Sequence, residues 1–168
     1  SALYQQYFKK GKKFFALLID PGKTQHDNLF GTLEAANKSG VDLIFVGGSL
    51  TSVSMDKTIE TIKQKTKIPV ILFPGNLLQL STLADGILLI SLLSGRNPEY
   101  LIGNHVLASQ YLKNSGLELI PTSYILVDGH NLTSVEYISN TRPIPSEKTD
   151  IIMATALAGE QLGLKLIY

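Results

Sequence analysis

Short apolar runs recur along this chain, each closed by turn-forming residues, and most are followed by a segment with helical spacing. The first run constrains the fold most. Phe14-Phe15-Ala16-Leu17-Leu18-Ile19 ends abruptly in Asp20-Pro21-Gly22-Lys23. An unbroken apolar run of this length predicts a strand buried on both faces, and Pro-Gly marks its end. Asp20 is therefore expected at the carboxyl end of a buried strand, where α/β proteins collect ligands and metals.

The rest of the chain repeats the pattern. Ala2–Phe8 predicts a short amphipathic helix, with Leu3, Tyr7 and Phe8 on one side. After the first strand, Thr24 offers a helix cap and Asp27 strengthens the start. Leu29, Phe30, Leu33 and Ala36 form that helix's buried stripe, and Gly40 stops it. A second strand, Val41–Val46, ends in Gly47-Gly48-Ser49-Leu50-Thr51-Ser52. The helix after it carries Val53, Ile59 and Ile62 inward and Asp56, Lys57, Glu60 and Lys63 outward. A third strand, Ile68–Phe73, ends in Pro74-Gly75-Asn76, and Leu77, Leu80 and Leu83 suggest a short helix. A fourth, Ile87–Leu93, ends in Ser94-Gly95-Arg96-Asn97. Asn97-Pro98 then starts a helix running to Asn114, with Gly116 closing it.

Leu117–Ile120 begins a fifth strand, and Tyr124–Val127 continues extended structure up to the Asp128-Gly129 turn. Residues 131–148 hold two prolines and many small polar residues, which predicts a long loop with one brief ordered piece. Ile151–Leu162 is an Ala-rich helix, and Leu164–Tyr168 begins a sixth strand. Strands alternating with helices give an α/β protein with a parallel sheet. Two architectures fit. A doubly wound open sheet is complete at 168 residues, whereas a (β/α)8 TIM barrel needs about 250 and would lack its last two βα units here. A final strand with no helix to cover it favours the barrel.

Composition narrows the function. The chain is long enough for a single domain over 1–168, and 44% hydrophobic with 17% charged residues fits a soluble globular protein. A net charge of +1 without a Lys/Arg stripe gives no reason to expect a nucleic-acid partner. The cluster Lys9-Lys10-Gly11-Lys12-Lys13 is a solvated approach to the first strand, with membrane-surface contact as a minority reading. The absence of cysteine excludes disulfides and thiolate metal sites. Apolar runs such as Ile87–Leu93 are too short to span a bilayer. With no signal-peptide pattern at the start, the expected location is cytoplasmic.

Asp20 and Ser49 fall at the ends of adjacent strands and are expected to face one mouth. A carboxylate and a hydroxyl make a partial shell for Mg²⁺, which takes hard oxygen ligands and completes its octahedron with water and phosphate. Equally, Asp20 could cap the following turn and Ser49 start a helix. Gly47-Gly48-Ser49 suits close approach to a diphosphate, but no Gly-Lys-Ser/Thr follows, so it is not a P-loop. Lys23 and Arg96 could neutralise phosphate or be ordinary solvated cations. Tyr168 could offer its hydroxyl to a ligand or belong to the core. His26, His105 and His130 have no metal-site spacing and read as structural. The lack of a Gly-x-Ser-x-Gly elbow and of cysteine argues against an acyl-transfer hydrolase. The lack of Asp-Asp-x-x-Asp argues against a helical prenyl-diphosphate synthase.

Five segments in order carry a resemblance. Leu17-Leu18-Ile19-Asp20-Pro21, Phe45-Val46-Gly47-Gly48-Ser49, Pro69–Gly75, Leu92–Gly103 with its Arg96-Asn97-Pro98 core, and Pro121-Thr122-Ser123-Tyr124 resemble the geranylgeranylglyceryl phosphate synthase family (prenylglyceryl phosphate synthases). The resemblance implies a TIM barrel and Mg²⁺-dependent transfer of a prenyl group from geranylgeranyl diphosphate to the 3-hydroxyl of sn-glycerol 1-phosphate. It assigns Asp20 and Ser49 to Mg²⁺. Tyr168 matches the first residue of the family's Tyr-Leu-Glu-Ala-Gly-Ser-Gly segment, which grips glycerol phosphate. Leu18 stands where some bacterial relatives have a Lys. The prenyl chain is expected in an apolar groove around Leu77, Leu78 and Tyr100. The resemblance further implies a homo-oligomer and peripheral contact with the inner membrane surface. The competing functions are another phosphate-ligand barrel enzyme and a non-catalytic open-sheet binding module.

Overall fold

The computed structural model describes residues 2–7, 13–24 and 26–168. Phe8, the Lys9–Lys12 cluster and the side chains of His26 and Asp27 lie outside what it describes. In chain order the elements are α1 (Ala2–Tyr7), β1 (Ala16–Ile19), α2 (His26–Ser39), β2 (Leu43–Val46), α3 (Met55–Lys65) and β3 (Val70–Leu72). They continue with β4 (Gly86–Leu92), α4 (Asn104–Asn114), β5 (Glu118–Tyr124), α5 (Ser134–Ser139), α6 (Thr149–Gln161) and β6 (Leu166–Ile167). None of the described helices is long and apolar enough to cross a membrane.

The strands follow one another in sheet order β1-β2-β3-β4-β5-β6. The pairs β1–β2, β2–β3, β3–β4 and β5–β6 are parallel, in registers such as Leu18↔Phe45 and Ser123↔Ile167. A doubly wound sheet reverses its strand order at a switch point. Here the order never reverses, so right-handed crossovers all advance in one direction, as in the first six strands of a (β/α)8 barrel. The barrel expectation holds.

The chain forms two compact units. One runs up to Ile87 and includes Asn114–Leu119; the other comprises Leu88–Lys113 and Ile120–Tyr168. In the first, Leu33 of α2, Ile59 and Ile62 of α3, and Ile44, Val46, Ile71 and Leu72 of the strands are fully buried. Burial of such side chains is worth about 1.5–3 kcal/mol each against exposure. Ser54 caps α3 by accepting the Lys57 amide. Val53, expected in the buried stripe, precedes that cap and is 46% exposed. The first run also departs from expectation, because only Ala16–Ile19 is strand and Phe15 and Leu18 are substantially exposed. Among the described residues β1 pairs with β2. The Thr24 hydroxyl donates to the Asp20 carbonyl and closes the turn before α2. The Leu77, Leu80 and Leu83 helix is only a 3₁₀ turn over Leu77–Gln79, after which Leu80 is extended.

In the second unit, the Asn97-Pro98 start is confirmed, with Asn97 Oδ1 accepting the Glu99 amide. A π turn over Glu99–Gly103 precedes α4. β5 passes through Pro121 as one strand instead of two extended pieces. A proline interrupts a sheet by lacking an N–H, but its carbonyl is free to accept, and Pro121 takes the Lys165 amide at 2.7 Å. The 131–148 loop contains α5, capped by Thr133, and a parallel bridge between Val127 and Ile144.

Candidate active site

β1 ends on Asp20, and the turn after it wraps around that residue. The Lys23 and Thr24 amides donate to the Asp20 carbonyl at 3.1 and 3.0 Å. The Gly22 amide donates to Asp20 Oδ1 at 3.0 Å. Asp20 thus does organise its turn, and its side chain remains 20% exposed. Lys23 Nζ stands 3.5 Å from Oδ2, while the Lys23 side chain is 79% exposed. At that exposure the pair adds little stability.

The loop after β2 lies directly against this carboxylate. A Cβ on Gly48 would come within 2.6–2.7 Å of Asp20 Oδ1, Cγ and Oδ2. A Cβ on Gly22 would lie 3.1 Å from the Leu50 carbonyl oxygen and 3.5 Å from Thr51 Cβ. Ser49 is therefore bracketed by two residues that touch the Asp20 turn. It is not a helix-start residue, because α3 begins only at Met55 behind the Ser54 cap. The helix N-terminus accordingly does not fall on the Gly47-Gly48-Ser49 segment, contrary to the diphosphate reading of those glycines.

Sequence reasoning missed Gln79. This amide is 1% exposed and bridges the loops after β2 and β3. Its Oε1 accepts from the Gly48 and Gly75 amides at 3.1 and 3.2 Å, and its Nε2 donates to the Gly48 carbonyl at 2.6 Å. No local pattern marks it, since Gly48, which takes two of its three bonds, is 31 residues away. Only a polar residue sitting among Leu77, Leu78 and Leu80 hinted at a buried hydrogen-bonding role.

The donor chemistry fits Mg²⁺: one partly exposed carboxylate, one hydroxyl and adjacent backbone, all hard oxygens. Among the described residues there is no cluster of three or more His, Cys, Asp or Glu that would suit a softer or all-protein metal cage.

In the second unit, Arg96 is exposed and its Nη1 donates to the Leu93 and Gly95 carbonyls at 3.0 and 2.8 Å. It edges an open cleft of about 510 Å³ shared with Ser94, Asn97, Thr141 and Arg142. Tyr168, the residue after β6, is 53% exposed. Its amide donates to the Ser123 carbonyl, and its ring meets Tyr124 at 5.2 Å between centroids. Burial, reinforced by Tyr168, pushes the Tyr124 phenol above its ordinary pKa. His105 sits in the first turn of α4, and burial lowers its pKa, partly opposed by the Ile90 and Ile102 carbonyls. His130 is exposed in the Asp128-Gly129 turn, where its amide donates to Asp128. Of the residues expected around a prenyl chain, Leu78 is 89% exposed, and the Tyr100 hydroxyl reaches the Ile138 carbonyl at 3.5 Å.

Parallel strands in barrel order, with Asp20 after β1 and the Gly48-Ser49 turn after β2 at their carboxyl ends, define a protein of the TIM-barrel class. Comparison with known proteins narrows this class. The chain belongs to the PcrB family, whose model matches residues 7–168. It is 48% identical over 167 residues to a geranylgeranylglyceryl phosphate synthase of Spirosoma linguale, covering 99% of this chain and 67% of that protein. It is 37% identical over 168 residues to the synthase of the same name from Korarchaeum cryptofilum, covering 99% and 69%. The (S)-3-O-geranylgeranylglyceryl phosphate synthase of Thermoplasma acidophilum, solved with its substrate sn-glycerol-1-phosphate, superimposes with a TM-score of 0.87 at 35% identity. That match covers 95% of this chain and 64% of the other. The tryptophan synthase alpha chain of Legionella pneumophila matches with a TM-score of 0.55 at 16% identity, a likeness of fold alone. The chain spans 64% to 69% of the length of the curated relatives it matches.

Proposed function

We propose that this chain acts as a Mg²⁺-dependent prenyltransferase, joining geranylgeranyl diphosphate to the 3-hydroxyl of sn-glycerol 1-phosphate. The hydroxyl oxygen forms a bond to carbon one of the prenyl group, the bond from that carbon to diphosphate breaks, and the hydroxyl proton is released. The observation that supports this reading is the close packing of Gly48, the residue before Ser49, against the Asp20 carboxylate. The names of the relatives, and the sn-glycerol-1-phosphate bound in the Thermoplasma acidophilum enzyme, support the substrate class.

Asp20 and Ser49 would hold the metal. Bound there, Mg²⁺ would supply Lewis-acid stabilisation of the charge building on the diphosphate and a template for orienting it. The turn bond from Gly22 keeps one carboxylate oxygen of Asp20 oriented. Lys23, beside Asp20, adds a positive charge that an incoming diphosphate can share. Tyr168, directly after β6, is assigned to glycerol phosphate by its match to the family segment, and Arg96, in the loop after β4, to a phosphate group.

The test is a transfer assay with both substrates, with Mg²⁺ and with excess chelator, on wild type, Asp20→Asn and Ser49→Ala. Product is expected only with the metal. Asp20→Asn should abolish it, and Ser49→Ala should reduce it less, because water can replace a hydroxyl ligand. Transfer that survives chelation, or an Asp20→Asn variant as active as wild type, would refute the reading.

A further inference from the structure

Gln79 presents an arrangement that neither the motifs nor the metal assignment explain. A primary amide buried to 1% exposure must have its donors and acceptor satisfied, or it is costly to bury. Gln79 spends all three of its observed bonds on backbone, and two of them go to a single residue. The Gly48 amide donates to Oε1 and the Gly48 carbonyl accepts from Nε2. This two-point pairing fixes the planes of both peptides flanking Gly48, including the Gly48–Ser49 peptide. The third bond ties Gly75 to the same Oε1. The backbone there is tight enough that a Cβ on Gly75 would overlap the Gly48 carbonyl oxygen and lie 2.9 Å from Ser49 Cα. Gly47, with φ at 156° and its Cα against the Phe73 carbonyl, has a conformation that favours glycine.

We infer that Gln79 is a positioning residue for the metal end of the site: its amide holds the Gly48–Ser49 peptide at the angle that puts Ser49 beside Asp20. Its three hydrogen bonds all go to backbone, so it acts through Gly48 and Gly75 and not as a ligand itself. The inference deepens the proposed function and rests on its metal assignment. The 3₁₀ turn that carries Gln79 is itself anchored. Asn76 Oδ1 accepts the Leu78 amide, and Ser81 donates to Asp56 at the start of α3. Gln79 is thus held on both sides, as outer-shell groups that orient metal ligands must be.

The test reads metal affinity rather than turnover. Mn²⁺, a paramagnetic stand-in for Mg²⁺, is titrated against wild type, Asp20→Asn, Gln79→Leu, Gln79→Met and Ser81→Ala, alongside thermal unfolding of each. Gln79→Leu and Gln79→Met should weaken Mn²⁺ binding about 10- to 100-fold. Ser81→Ala, which loosens the same turn without touching Gly48, should lower the melting temperature and leave affinity within about twofold. A folded Gln79 variant that binds like wild type overturns the inference. So does a Ser81→Ala variant as weak as Gln79→Leu, since affinity would then merely follow loop stability. If both Gln79 variants fail to fold, Gln79 is a stability residue and the inference is wrong. Wild type that binds no Mn²⁺, or Asp20→Asn that binds as wild type does, overturns the metal assignment and this inference with it.

Discussion

Gly48 stands against the Asp20 carboxylate with no room for a side chain: a Cβ there would lie 2.6 Å from Oδ1 and 2.7 Å from Oδ2. The glycine is needed for approach, because its absent side chain lets the β2 loop close over the end of β1. Gly48→Ala should therefore rotate the carboxylate away or push the loop off it. The expected result is a loss of Mn²⁺ affinity of about 10- to 100-fold and a stability loss of about 1–3 kcal/mol from overpacking. Metal titration and chemical denaturation measure the two separately. Wild-type affinity in Gly48→Ala would mean that Asp20 is not a metal ligand in this orientation.

A second close approach lies in the other unit, between α6 and β5. A Cβ on Gly159 would overlap Ser123 Oγ and come within 3.1 Å of Leu93. Ser123 is fully buried and its hydroxyl has no hydrogen-bond partner. Gly159→Ala alone should cost about 3 kcal/mol or more. Ser123→Ala removes an unsatisfied hydroxyl and should be neutral or stabilising by about 1 kcal/mol. The double variant should recover at least about 1 kcal/mol of the Gly159→Ala loss, since the clash partner is gone. Denaturation midpoints of the four proteins give the coupling, and strict additivity would show that Leu93 or the backbone, not Ser123, is the obstacle.

His105 makes stability depend on pH. Burial lowers its pKa below the ordinary 6.5, so between the folded and unfolded values the unfolded chain binds the proton more readily. Its contribution is present above 6.5 and is lost as pH falls through the lowered value. The Ile90 and Ile102 carbonyls oppose this shift without outweighing the burial. Thermal unfolding from about pH 7.5 to about pH 5 should show a drop in wild type that is smaller in His105→Gln. Equal slopes would remove His105 as the cause.

What could be read beforehand and what could not divides along the range of the interactions. The endings at Asp20-Pro21-Gly22, Gly47-Gly48-Ser49 and Asn97-Pro98 were legible because turn chemistry is local and Pro and Gly report it directly. Val53 was misplaced because helical spacing extends smoothly past Ser54, and only the cap bond to Lys57 shows where α3 begins. Pro121 hid the continuity of β5, since the missing N–H is visible in sequence and the acceptor role toward Lys165 is not. Gln79 was illegible for the strongest reason. Its partner Gly48 comes from the end of a different strand, β2, and no periodicity encodes that.

The last expectation concerns the amino-terminal helix, which hangs from one carboxylate. The Leu3 and Tyr4 amides both donate to Glu118, one to each oxygen, at 2.7 Å. Amide groups at a helix start carry partial positive charge and favour an anion, and these bonds have charge-assisted length. A helix of six residues is too short to persist alone, so this tether to the first residue of β5 should decide whether α1 stays docked. Glu118→Gln keeps the shape and one acceptor but turns an NH₂ toward the second amide. The expected cost is about 1–2 kcal/mol, concentrated in α1, with faster hydrogen exchange at Leu3 and Tyr4 and little change in α3. Protection factors unchanged at those two amides would show that α1 is held by its other contacts instead.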